Sequence, residues 1–376
     1  MRVLPAPGIL VKRPLLLVEA LASRNDSGLG AMARLFVDGL RGLSGDADIK
    51  VILPRSGGYS PGRHCLPIKV DAKPFRLWAQ AAFPLMIRRL RPDAVFCLGQ
   101  TLPLIRPAGR YALAIPDAGP LEDLGRATSS HDAYNRRWLR AMAPRAQLIV
   151  TISRFTKARL MRHLGLPGER IRVVNPIGGA EDVRSADGLF PAGEYFLALG
   201  NVEPRKNFPG LIAAYAALKK KRPEVPPLYI AGHAAWGQAE AEAAVARFRL
   251  GESVRFTGYL SDADRSAHLA NCALFVSSSL YEGWGLPLFE ALAHGRPAVY
   301  HAGSSQEEFA RGMAMAADCG NPGELARAME SLWSDTRERE RYLAALRTDF
   351  GKIRDYDLPG ALRNVLAPLL GIDAGN

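Results

Sequence analysis

Short apolar runs alternate with glycine-containing turns and amphipathic stretches along most of this chain. The run ALFV at residues 273–276 is typical of a buried strand, and PLFEALA at 287–293 begins a helix with Pro in its first turn. The run EYFLAL at 194–199 predicts another strand, followed by a loop and a helix over 209–218. Strands alternating with helices predict parallel sheets covered on both faces, the doubly wound α/β class.

The length of the chain favours two such domains. At 376 residues it exceeds the size at which a single hydrophobic core usually stops growing. We predict an N-terminal domain over 1–185, a C-terminal domain over 186–355, and a last segment over 356–376 with a helix at 361–370. The small and polar residues 185–188 are a candidate hinge.

Two carboxylates eight positions apart, Glu282 and Glu290, flank a glycine turn at the start of the helix at 287–293. The turn is made of Gly283, Trp284, Gly285 and Leu286. Free N–H groups at a helix start favour binding of a phosphate. Carboxylates would repel that phosphate, so Glu282 and Glu290 must face other parts of the ligand. We therefore expect one carboxylate to bind a sugar ring and the other a ribose, as for a nucleotide sugar. The plainer interpretation is a helix-capping Glu282 and a solvated Glu290.

A second candidate group lies in the loop after the strand at 194–199. Gly200 and Asn201 begin this loop, and Arg205 and Lys206 lie before the next helix. Open α/β sheets bind ligands beyond the carboxyl ends of their strands. Two adjacent cations there could neutralise a departing diphosphate. The plainer interpretation is a solvated cation pair.

These motifs resemble those of retaining glycosyltransferases of the GT-B class, family 4, also called glycosyl transferases group 1. The C-terminal half carries GNVEPRKN at 200–207, IAG at 230–232, WG at 236–237, VRFTGYLSD at 254–262, the segment 282–290 and HGRPAV at 294–299. The N-terminal half carries a weaker match, DSGLG at 26–30 and AQLIVTISRFTK at 146–157.

The resemblance implies two Rossmann-like domains facing a cleft, with a C-terminal helix that crosses back to the N-terminal domain. It implies that Arg205 and Lys206 bind the donor diphosphate, Glu282 the transferred sugar, Glu290 the ribose and residues 258–260 the base. Tyr259, Leu260, Gly28 and Gly30 are thus further donor-binding candidates. Retention is also implied, by same-face attack in which the departing phosphate oxygen takes the acceptor proton.

We expect no metal and no cofactor. Two Asp-x-Asp triplets occur, at 46–48 and 262–264, and such triplets hold a divalent metal in another glycosyltransferase class. The first is expected in a turn, and the second follows Ser261 at a helix start, where Asp is favoured for capping. Arg205 and Lys206 would instead balance the leaving-group charge.

The chain departs from the family pattern at Pro116, where a His is expected. Asp117 then becomes the candidate catalytic polar group, and one hypothesis is a donor with an altered or missing C6 hydroxyl. The main alternative is a catalytically degenerate nucleotide-sugar-binding protein of the same fold. A sugar phosphorylase or epimerase is a further alternative, which the two-carboxylate segment disfavours.

The positive charge is concentrated in the N-terminal half. Residues 1–185 hold 29 Lys and Arg against 14 Asp and Glu, a net of +15, whereas residues 186–376 have a net of −3. This predicts an anionic acceptor, such as a glycan or lipid-linked intermediate of polysaccharide assembly, or an anionic membrane surface. Nucleic acid is not expected as a partner, because no recognised motif or aromatic stacking pattern occurs.

A basic, aromatic-rich segment at 73–91 is the candidate membrane contact, where we expect Pro84 to interrupt the helix. The alternative is an amphipathic helix packed on the sheet. The four cysteines show no paired spacing, which fits a reducing cytosol. No apolar run reaches the roughly 20 residues needed to span a bilayer, and a cytoplasmic, peripheral location is expected.

Overall fold

The computed structural model describes residues 12–24, 28–122, 130–177 and 195–373, with only the backbone described at 130–132. The first sheet and its helices comprise β1 Leu15–Glu19, α1 Gly28–Gly39, β2 Asp48–Pro54, β3 Leu66–Val70, α2 Phe75–Gln80, α3 Ala82–Leu90, β4 Ala94–Cys97, β5 Arg110–Ala114, α4 Ser130–Met142, β6 Leu148–Thr151, α5 Arg154–Leu164 and β7 Ile171–Val173. We call this unit the N-domain.

The second unit, the C-domain, has its own sheet. It comprises β8 Phe196–Leu199, α6 Phe208–Lys221, β9 Leu228–Ala231, α7 Gln238–Arg247, β10 Val254–Gly258, α8 Asp262–Asn271, β11 Leu274–Ser277, α9 Leu286–Ala293, β12 Ala298–His301, α10 Glu307–Ala310, β13 Met315–Ala317 and α11 Pro322–Ser334. Two more helices follow, α12 Thr336–Arg354 and α13 Leu358–Leu370.

Both sheets are parallel and doubly wound, as predicted. Their strand orders are β3-β2-β1-β4-β5-β6-β7 and β10-β9-β8-β11-β12-β13. Strands such as β4 and β6 are buried at every position, because helices cover both faces of a parallel sheet. The winding direction reverses between β1 and β4 and between β8 and β11, and such switch points are where doubly wound sheets bind ligands.

Helix α13 returns from the C-domain to the N-domain, which confirms the predicted crossover. Leu358 and Leu362 are buried against α1, where a Cβ at Gly39 would lie 2.6 Å from Leu362 Cδ1. The guanidinium of Arg110, at the start of β5, donates to the carbonyl of Leu369 at 2.9 Å. The predicted domain boundary near 185 and the hinge at 185–188 lie outside the described residues.

The segment at 73–91 forms two helices, and the prediction that Pro84 interrupts it was wrong. The break falls at Ala81, between α2 and α3, while Pro84 lies in the first turn of α3, where a helix tolerates proline. Pro84 and Phe83 are buried, whereas Leu77 and Leu85 are 67% and 63% exposed. The helices therefore pack on the N-domain core and also present apolar side chains to solvent.

All four cysteines are buried free thiols, in agreement with their unpaired spacing. Within the described ranges, no helix has both the length and the apolar character needed to cross a bilayer.

Candidate functional site

The structure brings three predicted residues together at the switch point of the C-domain. Arg205 and Lys206 follow β8, and Glu282 follows β11, the neighbouring strand. Lys206 Nζ lies 2.5 Å from Glu282 Oε1, and Arg205 Nη1 lies 3.0 Å from Glu282 Oε2. Arg205 Nε also lies 3.0 Å from Glu203 Oε2. Each carboxylate oxygen of Glu282 thus pairs with one cation, and we call these four residues the ionic cluster.

Close backbone packing positions the cluster. Gly200 has a φ of 144°, and a Cβ there would lie 2.7 Å from Lys206 Cε, so glycine leaves room for the lysine. The Ser278 hydroxyl donates to the Lys206 carbonyl at 2.7 Å, and the Ser305 hydroxyl donates to the Glu282 carbonyl at 2.7 Å. The two loops are therefore fixed against each other before any ligand binds.

Burial and charge act in opposite directions within the cluster. Burial favours a raised pKa for Glu282, but Lys206 and Arg205 outweigh it and lower the pKa to about 2. Burial lowers the pKa of Lys206 from its usual range, although Glu282 acts against it. The side chain of Arg205 is 37% exposed, compared with 8% for Lys206 and 10% for Glu282. An incoming anion would therefore reach Arg205 first.

The N-domain contacts the glycine turn directly. A Cβ at Gly283 would lie 2.5 Å from the Pro116 carbonyl oxygen and 2.9 Å from Asp117 Cβ. The Ala118 N–H donates to the Tyr281 hydroxyl at 2.9 Å. Burial raises the pKa of Asp117, while the nearby positive charge of Arg205 acts against this rise. The predicted catalytic Asp117 thus lies within electrostatic reach of the cluster, across the domain boundary.

A second contact between the domains was missed by the sequence analysis. The carboxylate of Glu308, in α10, accepts hydrogen bonds from the N–H groups of Arg154 at 3.0 Å and Phe155 at 2.7 Å. These donors begin α5, where Ser153 is the N-cap. Ser153 is a residue type favoured at N-caps and could have indicated the helix start, but no sequence signal identifies its partner in the other domain.

In the glycine turn, main-chain groups rather than side chains are available to bind a ligand. Helix α9 begins at Leu286, and Gly285 at its N-cap has a φ of 100°, where a Cβ would lie 2.5 Å from Gln306 Nε2. Trp284 is 3% exposed and stacks on Phe309, with ring centroids 4.8 Å apart. The indole is therefore part of the core, and any donor contact in this turn would be with main-chain groups.

Glu290 is already paired. Arg265 Nε lies 3.0 Å from Glu290 Oε2, and Arg265 Nη1 lies 3.1 Å from Asp262 Oδ1. Burial raises the pKa of Glu290, with Arg265 acting against it. Ser261 accepts the Asp264 N–H at 3.1 Å, so the triplet at 262–264 lies in a capped first helical turn, as predicted.

Exposed aromatic rings lie near the segment predicted to bind the base. Tyr259 stacks on His233 with centroids 4.5 Å apart and an interplanar angle of 13°. Tyr259 is 48% exposed, Trp236 is 65% exposed, and Leu260 is half-buried. Such rings can stack on a flat heterocycle. The sequence analysis missed His233, which follows β9 and meets Tyr259 only because β9 and β10 are neighbours.

A cavity of about 550 Å³ lies at the carboxyl ends of the N-domain strands. Its lining includes Arg24, Arg55, Lys73, Phe75, Trp138 and Asp117. Gly28 and Gly30 begin α1, and Leu29 between them lines this cavity. Their donor-binding role stays a prediction, because the other donor candidates lie around the C-domain sheet.

Two family models match the chain in succession. The model described as Glycosyltransferase Family 4 matches residues 28–176, and the model described as Glycosyl transferases group 1 matches residues 181–348. Among curated proteins, the chain is 30% identical over 214 residues to O-antigen chain mannosyltransferase B of Escherichia coli, covering 54% of this chain and 56% of that protein. It is 27% identical over 241 residues to the serotype-specific mannosyltransferase WbdA of Escherichia coli, covering 58% and 29%. The chain thus matches just over half of the first relative and under a third of the second.

Solved structures show the same fold. Anabaena Alr3699/HepE, crystallised with UDP and glucose, has a TM-score of 0.70 at 16% identity, covering 96% of this chain and 100% of that one. WaaG, a glycosyltransferase involved in lipopolysaccharide biosynthesis, has a TM-score of 0.70 at 14% identity, covering 93% and 99%. With one family model matching in each domain and this shared architecture, the chain belongs to the glycosyltransferases of GT-B fold, with a family 4 N-domain and a group 1 C-domain.

Proposed function

We propose that this protein transfers a sugar from a nucleotide-sugar donor to a hydroxyl of a glycan or lipid-linked acceptor, with retention of anomeric configuration and without a metal. One observation carries the proposal. The ionic cluster of Glu282, Arg205, Lys206 and Glu203 is preformed at the switch point of the C-domain, and Asp117 of the N-domain lies within electrostatic reach of it. Charges fixed in place before the reaction are well suited to stabilising a departing diphosphate.

Donor binding would rearrange the pairing within the cluster. A diphosphate near the partly exposed Arg205 would take over hydrogen bonds that now go to Glu282. A carboxylate oxygen of Glu282 would then be available to accept a hydrogen bond from a sugar hydroxyl. Asp117, from the N-domain, would contact the same sugar.

The transfer step needs no enzyme nucleophile. The bond from the anomeric carbon to the diphosphate oxygen breaks, and the acceptor oxygen bonds to that carbon on the same face. The acceptor proton passes to the departing phosphate oxygen, and the nucleoside diphosphate leaves. Arg205 and Lys206 would stabilise the charge that develops on this leaving group.

The names of the relatives support mannose as the first sugar to test. Both Escherichia coli relatives are named mannosyltransferases, and a relative in Agrobacterium fabrum, 29% identical over 161 residues, is named mannosylfructose-phosphate synthase. The competing hypothesis is a donor with an altered or missing C6 hydroxyl, because Pro116 stands where the family has His. Equal use of an ordinary hexose donor would exclude that hypothesis.

The N-domain is proposed to act at the cytoplasmic face of an anionic membrane. Leu77 and Leu85 are exposed on α2 and α3, and Arg88 and Arg89 are exposed beside them. A relative in Campylobacter jejuni, 22% identical over 63% of this chain and 64% of that protein, has a name that includes a diphospho-undecaprenol acceptor. Sedimentation with phosphatidylglycerol vesicles should weaken in Leu77→Ser/Leu85→Ser, and the similarly exposed Leu66→Ser is the control.

A donor screen tests the function directly. The purified protein would be screened by thermal shift and by sugar release with UDP, GDP, dTDP and ADP sugars, first without metal and then with manganese or magnesium. We expect one nucleotide to raise the melting temperature and its sugar to be released slowly. A shift with no sugar release and no transfer would favour the degenerate binding protein, and no shift with any donor would contradict the proposal.

A further inference from the structure

We propose that the N-domain cavity binds an acceptor longer than one sugar ring that carries a phosphate or diphosphate group at the end away from its reacting hydroxyl. The inference rests on the proposed function and specifies the acceptor. It is carried by the uneven charge of the cavity lining, in which Arg24, Arg55 and Lys73 lie towards the ends of β2 and β3 and Asp117 lies after β5.

The strand order fixes how far apart these two ends are. Lys73 follows β3 and Arg55 follows β2 directly. Arg24 lies beside Gly57 in the loop after β2, because a Cβ added at Gly57 would be 3.8 Å from the Cβ of Arg24. Asp117 follows β5, which is three strands away from β2 in the sheet. Three strand spacings are roughly 14 Å, a distance that one sugar ring does not span.

The net positive charge at the end of the cavity away from Asp117 would be balanced by a dianion. The cavity lining has four cations, of which Arg76 lies beside Tyr134 of α4. The other three, Arg24, Arg55 and Lys73, lie towards the ends of β2 and β3 with a single acid, Asp71, which pairs with Arg55 at 3.1 Å. Three cations against one carboxylate leave a net charge of +2. Within the described part of the chain, Arg24 and Lys73 have no ion-pair partner. A phosphomonoester or diphosphate would balance this charge, whereas one sugar carboxylate would balance only half of it.

Between the two ends, the cavity wall suits a glycan. Phe75 and Trp138 line it, and the Trp138 indole N–H donates to Thr101 Oγ1 at 3.2 Å, which fixes the orientation of the ring. Arg76 lies 3.6 Å from the centroid of the Tyr134 ring and donates to Asn135 at 3.2 Å. Aromatic faces with nearby hydrogen-bonding groups can contact both the apolar and the hydroxyl-bearing sides of a sugar.

Isothermal titration with inorganic diphosphate tests the charged end. The donor site would first be saturated with the nucleoside diphosphate identified in the donor screen, so that only a second site can respond. We expect saturable binding by the wild type and a loss of about tenfold or more in Arg24→Gln/Lys73→Gln, the effect of losing at least one charge-assisted hydrogen bond. Arg162→Gln/Lys220→Gln removes the same charge from exposed positions outside the cavity lining and should bind like the wild type.

Geranyl diphosphate, titrated in the same way, identifies the source of the phosphate. Tighter binding than inorganic diphosphate indicates a lipid-linked acceptor that also uses the apolar lining at Leu21 and Leu29. Equal binding indicates a soluble glycan phosphate. Both results support the cationic subsite. The inference is overturned if neither compound binds, or if the double variant binds like its control.

The outcome is separable from that of the proposed function. A protein that binds a nucleotide and transfers sugar, but has no second diphosphate site, contradicts this inference alone. A protein that neither binds nucleotides nor releases sugar contradicts the proposed function, whether or not it binds inorganic diphosphate.

Discussion

Lys206 and Glu282, 76 residues apart in the chain, are joined by a buried ion pair of 2.5 Å between neighbouring strand ends. Arg205 completes the pairing at the other carboxylate oxygen. A buried pair contributes modestly to stability, because desolvating both ions offsets much of their attraction, but removing one partner is strongly destabilising. The pair is therefore better explained as a preformed site than as a structural link.

Glu282→Gln should lower turnover and largely spare nucleotide binding. The amide cannot supply the charge that orients the sugar and balances the two cations, and loss of one such group typically lowers kcat on the order of 10²-fold. Steady-state kinetics and nucleotide titration would measure the two effects. Glu340→Gln, which breaks the exposed pair with Arg347, is the control. An unchanged rate would contradict the role of Glu282, as would a covalent glycosyl adduct trapped elsewhere.

The same carboxylate should make stability depend on pH. Its pKa falls from an ordinary value of 4.5 to about 2 on folding, so its stabilising contribution is complete above about pH 4.5 and is lost as the pH falls through about 2. The free energies of unfolding of the wild type and of Glu282→Gln, measured with urea, should therefore differ more at pH 7 than at pH 3. The same difference at both pH values would show that Glu282 is not held ionised in this way.

Gly283→Ala should separate the domains at their closest contact. The new Cβ would meet the Pro116 carbonyl at 2.5 Å, and backbone atoms cannot yield as a flexible side chain can. We expect a larger radius of gyration by small-angle X-ray scattering and a loss of transfer activity. Gly351→Ala, on α12 with open space around it, should keep both properties. An active, compact Gly283→Ala would show that this contact is not needed.

Glu308→Gln should loosen the contact at the start of α5. The amide accepts weaker hydrogen bonds than the carboxylate does from Arg154 and Phe155. Hydrogen exchange at these two amides should accelerate severalfold. Glu307→Gln alters the adjacent residue, which pairs with Arg311, and should leave both amides protected. Equal protection in both variants would argue against a contact between domains here.

Chelation should leave the transfer rate unchanged. Arg205 and Lys206 are proposed to balance the leaving-group charge, and the triplet at 262–264 lies in a capped helix start. The rate would be measured after EDTA treatment and gel filtration. A loss of activity that manganese or magnesium restores would contradict the metal-independent mechanism.

Local patterns predicted several of the strands and helices and the loops that carry Arg205, Lys206 and Glu282, but not which of these residues pair. The apolar run at 273–276 and the helix at 287–293 correspond to β11 and α9. Glu282 and Lys206 were assigned to different parts of the donor, since nothing in a single sequence shows that β8 and β11 are neighbours. The contact of Glu308 with α5 was missed for the same reason, because it depends on how the two domains meet.

The return of α13 to the N-domain affects the order in which the protein can fold during synthesis. A ribosome synthesises the N-domain strands first, yet Leu358 and Leu362, which cover α1, are added only after the whole C-domain. The N-domain is thus synthesised first, but its packing is completed last. Until α13 has been synthesised, the surface of α1 that Leu358 and Leu362 cover stays without this partner.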